Sequence, residues 1–170
     1  MAFISWRSEY EIGVRQVDAE HRKLFDLVNE YYDQHMHGAS RKEIERILNG
    51  LVAYAEEHFQ NEEAIMEEYG YPKIEDHRKQ HADLFTSIFA ITERLLNEPA
   101  KADRETLSFL KKWLRDHIVQ DDVDIGHFLR LKQLQAMRDA EKGLVNAADK
   151  ANAEGEGSSK EFRGEKDSGS

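Results

Sequence analysis

Five histidines fall on the apolar faces of predicted helices, where few hydrogen-bonding partners are available to them. The chain has eight histidines, and these five are His21, His58, His77, His81 and His117. Each imidazole carries two ring nitrogens, which leucine and isoleucine side chains cannot satisfy. A single histidine on such a face is usually a hydrogen-bonded core residue. Five that point at one axis indicate a metal site instead.

The spacing of the neighbouring carboxylate strengthens this interpretation. Glu62 follows His58 by four residues, and His81 follows His77 by the same interval. Residues four apart on a helix have Cβ atoms about 5–6 Å from each other, so both members of a pair can reach one ion or two adjacent ions. No Lys or Arg shares the stripe of Glu62, and a cation would neutralise its carboxylate. The alternative is that Glu62 sits at the edge of the stripe and reaches water.

The fourth predicted helix offers two aspartates after His117, namely Asp121 and Asp122. Helical geometry favours Asp121, because the fourth residue along returns to the same face. Asp122 could be a ligand only if the helix ends or loosens near Gln120. The helical period leaves this choice open.

Five imidazoles and two carboxylates exceed what one ion accepts. Zinc sites usually have four ligands, and calcium and magnesium prefer oxygen. Seven mixed ligands fit two iron ions bridged by the carboxylates and a solvent-derived oxo or hydroxo group. Carboxylate-rich di-iron bundles use a Glu-x-x-His motif, and no histidine here has a glutamate three residues before it. Neutral imidazoles suit a site that holds dioxygen intact, so we expect a carrier or sensor rather than an oxygenase.

Four amphipathic segments must position these side chains. The first covers about residues 18–36, and its apolar face carries Val17, His21, Leu24, Phe25, Val28 and Tyr32. The second begins after Ser40, which forms a predicted capping box with Glu43, and stops at Gly70.

The third segment follows Pro72 and ends at about residues 97–99, with an apolar face comprising Ile74, His77, His81, Leu84, Phe85, Ile88, Ile91 and Leu95. Asp103 is predicted to cap the fourth. Four helices of similar length with short loops predict an all-α, antiparallel up-down four-helix bundle.

The two ends of the chain differ from this core. The apolar residues before about Val17 predict an N-terminal arm that packs on the bundle. We expect a bundle domain over residues 1–131 and a polar tail over residues 132–170. Residues 134–153 have a helix-forming composition, and from Glu154 the chain is too rich in Gly, Ser and charge to order itself. This tail is the part that could bind a protein partner.

Composition excludes several classes of function. The net charge of -10 and the lack of a basic stripe argue against binding nucleic acid or an anionic membrane. The absence of cysteine excludes disulfides, iron–sulfur clusters and thiol catalysis. Without a signal sequence or a long apolar run, we expect a cytoplasmic protein, and we expect it to be a monomer.

These residues together resemble the hemerythrin family, and its single-domain bacterial members in particular. The resemblance covers about residues 1–131, and its motifs contain Val17, Asp18, Glu20, His21, Leu24, Phe25, His58, Phe59, Glu62, Tyr69, Gly70, Tyr71, Pro72, His77, His81, Trp113, Leu114, His117, Ile118 and Asp122. One His-x-x-x-Glu motif is a weak signal, whereas the ordered set is highly specific.

The resemblance implies a role for each residue. His77, His81 and His117 would ligate one iron, and His21 and His58 would ligate the other, which would bind dioxygen. Glu62 and Asp122 would bridge the two ions, so the resemblance selects Asp122 over Asp121 and implies that regular α-helix breaks after His117. Four apolar residues would line the dioxygen pocket: Leu24, Phe59, Trp113 and Ile118.

The expected function is therefore reversible dioxygen binding, for storage, transport or delivery to oxygen-requiring enzymes, without catalysis. Two other readings use the same scaffold. One is an oxygen or iron sensor, and the other is a di-iron peroxidase or an enzyme that handles nitric oxide.

Overall fold

A computed structural model describes residues 2–97 and 99–161, with side chains for residues 2–94 and 105–151. A short 3-10 helix, Ser8–Tyr10, is followed by α1 (Arg15–Met36), α2 (Arg41–Tyr69), α3 (Ile74–Asn97) and α4 (Pro99–Asp116). A π-helical turn, His117–Asp122, then leads into α5 (Val123–Glu161). The part of the chain that the structure describes contains no strand.

The first four helices form the predicted up-down bundle. Each packs against its neighbour in the chain, and α1 closes the ring by packing against α4. The predicted capping box is present at the start of α2, where Ser40 N–H donates to Glu43 Oε2 at 2.8 Å and Glu43 N–H donates to Ser40 Oγ at 3.4 Å. At the other end, Gly70 adopts φ +67°, a left-handed conformation that suits glycine and turns the chain towards α3.

The two buried polar residues of α2, His58 and Glu62, lie between two apolar clusters. The larger cluster includes Leu51, Ala55 and Phe59, and the smaller one includes Met66 together with Ile125 of α5. His58 and Glu62 therefore come from the stretch of α2 between these clusters, where apolar side chains close the bundle above and below.

The N-terminal arm packs on the bundle as expected. Asn29 of α1 holds the backbone of Ile4 through two hydrogen bonds of 3.0 and 2.9 Å. Asp18 accepts hydrogen bonds from the N–H groups of Ile12 and Gly13 at 2.8 and 3.1 Å. These contacts fix the arm against α1 beside the centre of the bundle.

Three details differ from the expectations. Tyr31, not Tyr32, is the fully buried tyrosine of α1, while Tyr32 is half-buried and stacks on Phe3 at 4.6 Å between ring centroids. Asp103 does not cap α4, because that helix begins earlier at Pro99. The side chain of Leu95, placed on the apolar face of α3, lies outside the described residues.

Contacts divide the chain into two units, Met1–Arg130 and Leu131–Ser170. In the second unit α5 continues to Glu161, beyond the point at Glu154 where we expected order to end. The side chains of residues 131–151 are exposed, including those of Leu131, Met137 and Leu144. Residues 162–170, the end of the predicted tail, lie outside the described part. No described helix combines the length and hydropathy that crossing a membrane requires.

Candidate metal centre

Seven buried polar side chains meet between the helices of the bundle. They are His21 of α1, His58 and Glu62 of α2, His77 and His81 of α3, and His117 and Asp122 of the π-helical turn. None is more than 4% exposed. The other three histidines, His35, His37 and His127, lie outside this cluster, and none of them is buried.

The ligand-type atoms form two overlapping groups, within each of which all atoms lie within 4.8 Å of one another. One group contains Glu62, His77, His81 and His117, and the other contains His21, His58, Glu62 and Asp122. Because Glu62 belongs to both groups, it lies where one carboxylate can face two ions.

Glu62 presents its two oxygens differently. Its Oε2 accepts a hydrogen bond from His77 Nε2 at 3.1 Å and lies 3.4 Å from His81 Nε2. Its Oε1 is buried without a hydrogen bond. One oxygen therefore faces the α3 histidines, and the other remains free for a cation.

Asp122 also spans the cluster. Its Oδ1 lies 3.5 Å from His77 Nε2 and 3.4 Å from His117 Nε2, while its Oδ2 lies 3.1 Å from His21 Nε2. A π-helix has more residues per turn than an α-helix, so the fifth residue along lies on the face that the fourth residue occupies in an α-helix. The turn after His117 thus brings Asp122 into the cluster and leaves Asp121 at its edge.

The donor atoms fit a pair of metal ions. Buried polar atoms without hydrogen bonds include His21 Nε2, His58 Nε2, His81 Nε2, His117 Nε2, Glu62 Oε1 and both oxygens of Asp122. Each such atom costs about 1–3 kcal/mol when it stays unsatisfied, and native proteins contain few. Coordination would satisfy all of them at once, and a set of five imidazoles and two carboxylates suits transition metals such as iron.

Burial and proximity shift the acidity of the cluster. Burial raises the pKa of Asp122 to about 7, and the nearby charge of Glu62 acts in the same direction. Burial also acts to raise the pKa of Glu62, but the hydrogen bond from His77 and the closeness of the His81 ring hold it well below its usual range. Burial lowers the pKa of His21. Burial also acts to lower the pKa of His77, but its hydrogen bond to Glu62 and the charges of Glu62, Asp122 and Asp121 together raise it. The contact between His77 and Glu62 therefore favours the charged form of each side chain.

Apolar side chains cover the cluster. Leu24, Phe59, Trp113 and Ile118 are all buried. Phe59 stacks on His81 with 3.8 Å between ring centroids and meets His117 edge-on at 5.5 Å. A cleft of about 310 Å³, lined by Leu84, Trp113 and His117 among others, opens beside this wall.

Three further carboxylates touch the histidines from outside the cluster, and the sequence analysis did not predict their roles. Glu20 contacts His58, Glu63 contacts His81, and Asp121 lies beside His117. The feature of the sequence that could have identified these carboxylates is their position, because each is next in the chain to a member of the cluster: His21, Glu62 or Asp122.

Comparisons with known proteins agree with this geometry. The family model for the hemerythrin HHE cation binding domain matches residues 12–126. The chain is 30% identical to the bacteriohemerythrin of Methylococcus capsulatus over 123 residues, covering 72% of this chain and 93% of that protein. It is 29% identical to the bacteriohemerythrin of Clostridium acetobutylicum over 121 residues, covering 69% and 94%.

Solved structures show the same relationship. The crystal structure of wild-type hemerythrin superposes with a TM-score of 0.68 at 29% identity, covering 75% of this chain and 98% of that one. The resemblance drawn from the motifs is thereby confirmed, as is the helical-bundle fold. This chain belongs to the hemerythrin family, which binds oxygen at a di-iron site, and it presents buried histidines and carboxylates positioned to hold the metal ions.

Proposed function

We propose that this chain binds dioxygen reversibly at two iron ions, and that it stores dioxygen or delivers it to oxygen-requiring enzymes rather than catalysing a reaction. In this proposal His77, His81 and His117 ligate one ion, His21 and His58 ligate the other, and Glu62 and Asp122 bridge them. The observation that supports it is a buried cluster in which five imidazoles outnumber two carboxylates. The overlap of the two groups at Glu62 supports its bridging role.

The two iron ions would supply the electrons that dioxygen accepts on binding and returns on release. The residues of the chain make that exchange reversible by excluding water. Phe59 and Trp113 pack edge-on at 6.3 Å, and Leu24 and Ile118 are at most 1% exposed. Bulk water would otherwise solvate and release reduced oxygen, leaving the metal oxidised.

The side of His21 and His58 is the proposed dioxygen side. It has two histidines where the other side has three, so an ion there has one protein ligand fewer. Leu24 follows His21 by one helical turn, and Phe59 follows His58 directly, so wall residues accompany both histidines.

Anaerobic reconstitution with ferrous iron tests the proposal. Oxygen is admitted and then removed under argon while the oxo-to-iron absorption is followed. We expect a band that forms on oxygenation and disappears on deoxygenation over repeated cycles. A band that persists under argon, or rapid consumption of added peroxide, would instead identify an enzyme on the same scaffold.

A further inference from the structure

Three of the five clustered histidines have a carboxylate beside their second ring nitrogen, and for His58 and His81 this contact is a hydrogen bond. His58 Nδ1 lies 2.9 Å from Glu20 Oε2, and His81 Nδ1 lies 2.7 Å from Glu63 Oε1. His117 Nδ1 lies 3.5 Å from Asp121 Oδ2. Two of the three contacts cross between helices, from α1 to α2 and from α2 to α3, so they depend on how the bundle packs.

The three carboxylates are themselves held in place. Glu20 accepts hydrogen bonds from Asn61 at 2.9 Å and from Gln16 at 3.0 Å. Arg78 Nε donates to Glu63 Oε2 at 3.3 Å.

Gln80 Nε2 donates to Asp121 Oδ1 at 3.1 Å. Each carboxylate therefore has one oxygen facing a histidine and the other accepting a hydrogen bond from a neutral amide or a guanidinium. This arrangement orients the oxygen that faces the ring, since a carboxylate with both oxygens engaged has little freedom to rotate.

The sequence position of these carboxylates explains why they contact the histidines from outside the cluster. Each is adjacent in the chain to a residue of the cluster, and adjacent residues on a helix point about 100° apart. A carboxylate next to an inward-facing residue therefore cannot enter the cluster itself. It can instead meet the outward-facing nitrogen of a nearby histidine.

We propose that Glu20, Glu63 and Asp121 are positioning residues for the metal centre. Glu20 and Glu63 accept the Nδ1–H of their histidines, and Asp121 faces Nδ1 of His117 at a longer distance. These contacts favour the tautomer that leaves Nε2 free and aim that nitrogen at the metal. An acceptor at Nδ1 also makes Nε2 a stronger donor to a metal ion. Neither effect requires contact between the carboxylate and the metal.

The three carboxylates are divided unevenly between the two histidine groups, and this division has a measurable consequence. Glu63 and Asp121 act on His81 and His117, which belong to the three-histidine group, whereas Glu20 acts on His58 of the two-histidine group. The three-histidine side then binds its ion first and more tightly. Variants of Glu63 weaken that step, and variants of Glu20 weaken the other.

Anaerobic titration of the metal-free full-length chain with Co²⁺ tests this without dioxygen. Binding is followed by visible absorption and by competition with a chelator, for the native chain and for Glu63→Gln, Asp121→Asn and Glu20→Gln. We expect two resolved steps in the native chain. The first step weakens about 10- to 100-fold in Glu63→Gln, less in Asp121→Asn, and the second step weakens by the same range in Glu20→Gln.

Glu67→Gln is the matched control for Glu63→Gln. Glu67 accepts from the same Arg78 at 3.3 Å, but its side chain is 74% exposed and contacts no histidine. Its variant should bind Co²⁺ like the native chain. A loss in Glu67→Gln equal to that in Glu63→Gln would assign the effect to Arg78 and overturn the proposal.

Nitrogen-15 NMR of the histidine rings gives a second readout that a merely structural role would not move. In the metal-free native chain, His58 and His81 should carry their proton on Nδ1. In Glu20→Gln and Glu63→Gln, respectively, that preference should weaken for the affected ring only.

The outcomes distinguish the positioning role, which rests on the proposed metal centre, from the proposed ligand set and from reversible dioxygen binding. Native affinities and native tautomers in all three variants would refute the positioning role while leaving the ligand set intact. Failure of the native chain to bind two Co²⁺ ions would overturn the ligand set and the positioning role together. Two-ion binding without reversible oxygenation would remove only the proposed function.

Discussion

Asp122 lies five residues after His117, and its Oδ1 oxygen is nevertheless 3.4 Å from Nε2 of that histidine. The π-helical turn produces this relationship, because its wider turn rotates the fifth residue onto the face that the fourth occupies in an α-helix. Asp121 is displaced to the edge, where it meets His117 Nδ1 and Gln80 instead. The turn therefore divides two adjacent aspartates between two different tasks.

The first prediction separates these aspartates by metal content. Asp122→Asn should hold at most one tightly bound ion per chain, because the substitution removes a carboxylate whose two oxygens face both histidine groups. Asp121→Asn should still hold two ions when metal is in excess. Elemental analysis after gel filtration measures both, and the reverse order would show that Asp121 is the ligand.

The second prediction concerns the metal-free fold and pH. Asp122 has a pKa raised to about 7, so its ionised form destabilises the native state. This destabilisation is absent below the unfolded pKa of about 4, grows as pH rises towards 7, and is complete above it. Metal-free Asp122→Asn should therefore unfold at a higher temperature than the native chain at pH 8, with a much smaller difference at pH 4.

Asp124→Asn is the control for that comparison. Asp124 is exposed and pairs with Lys73 at 3.1 Å on the surface, so its loss should change stability by no more than about 0.5 kcal/mol. If metal-free Asp122→Asn is less stable than the native chain at pH 8, the carboxylate is not a source of strain in the fold.

The third prediction couples metal to stability. An ion that binds only the folded chain stabilises it by about 2.7 kcal/mol at a concentration 100 times its Kd. For a chain of this size, about 2–4 °C accompanies each kcal/mol, so chelation should lower Tm by about 5–10 °C. Differential scanning calorimetry with and without chelator measures the shift. Equal melting temperatures would mean that no ion is bound in the folded state.

Acid should weaken the same binding. Burial acts to lower the pKa of His77, but its hydrogen bond to Glu62 and the charges of Glu62, Asp122 and Asp121 together raise it, so protons compete with metal for Nε2 as the pH falls. Metal affinity should fall as pH drops from 8 to 6, and Tm of the loaded chain should fall with it. Affinity that is constant over this range would show that His77 is not a ligand.

The fourth prediction concerns the contact between the arm and α5. A Cβ at Gly126 would overlap the carbonyl oxygen of Ile12 and lie 2.8 Å from its Cβ. Because that obstacle includes rigid backbone, Gly126→Ala should destabilise the fold by about 1–3 kcal/mol. Denaturant unfolding of the metal-free chain measures the change.

Gly50→Ala is the matched control, because the same substitution there should raise the stability of the fold instead of lowering it. Gly50 lies inside α2 with nothing within 4 Å of the added Cβ, so alanine should stabilise the helix by up to about 1 kcal/mol. Equal effects of the two substitutions would show that the arm does not approach Gly126 closely.

The sequence by itself determined which residues could form the helices and the cluster. Histidine nitrogens on apolar faces need polar partners that leucine and isoleucine cannot supply, so His21, His58 and His81 could be recognised from the helical period alone. Glu62 followed from its four-residue spacing after His58. These inferences succeed because a helix places residues at fixed angles whatever it packs against.

Only the tertiary structure decided between Asp121 and Asp122 on physical grounds, because a period of 3.6 residues does not reveal where a π-helical turn interrupts it. The burial of Tyr31 in place of Tyr32 has a similar cause. Both lie near the edge of the stripe, and the rotation of α1 against its neighbours selects one. The contact of Glu20 with His58 joins residues 38 positions apart on different helices. Such a contact depends on the distance and rotation between helices, which arise from packing and leave no local trace in the chain.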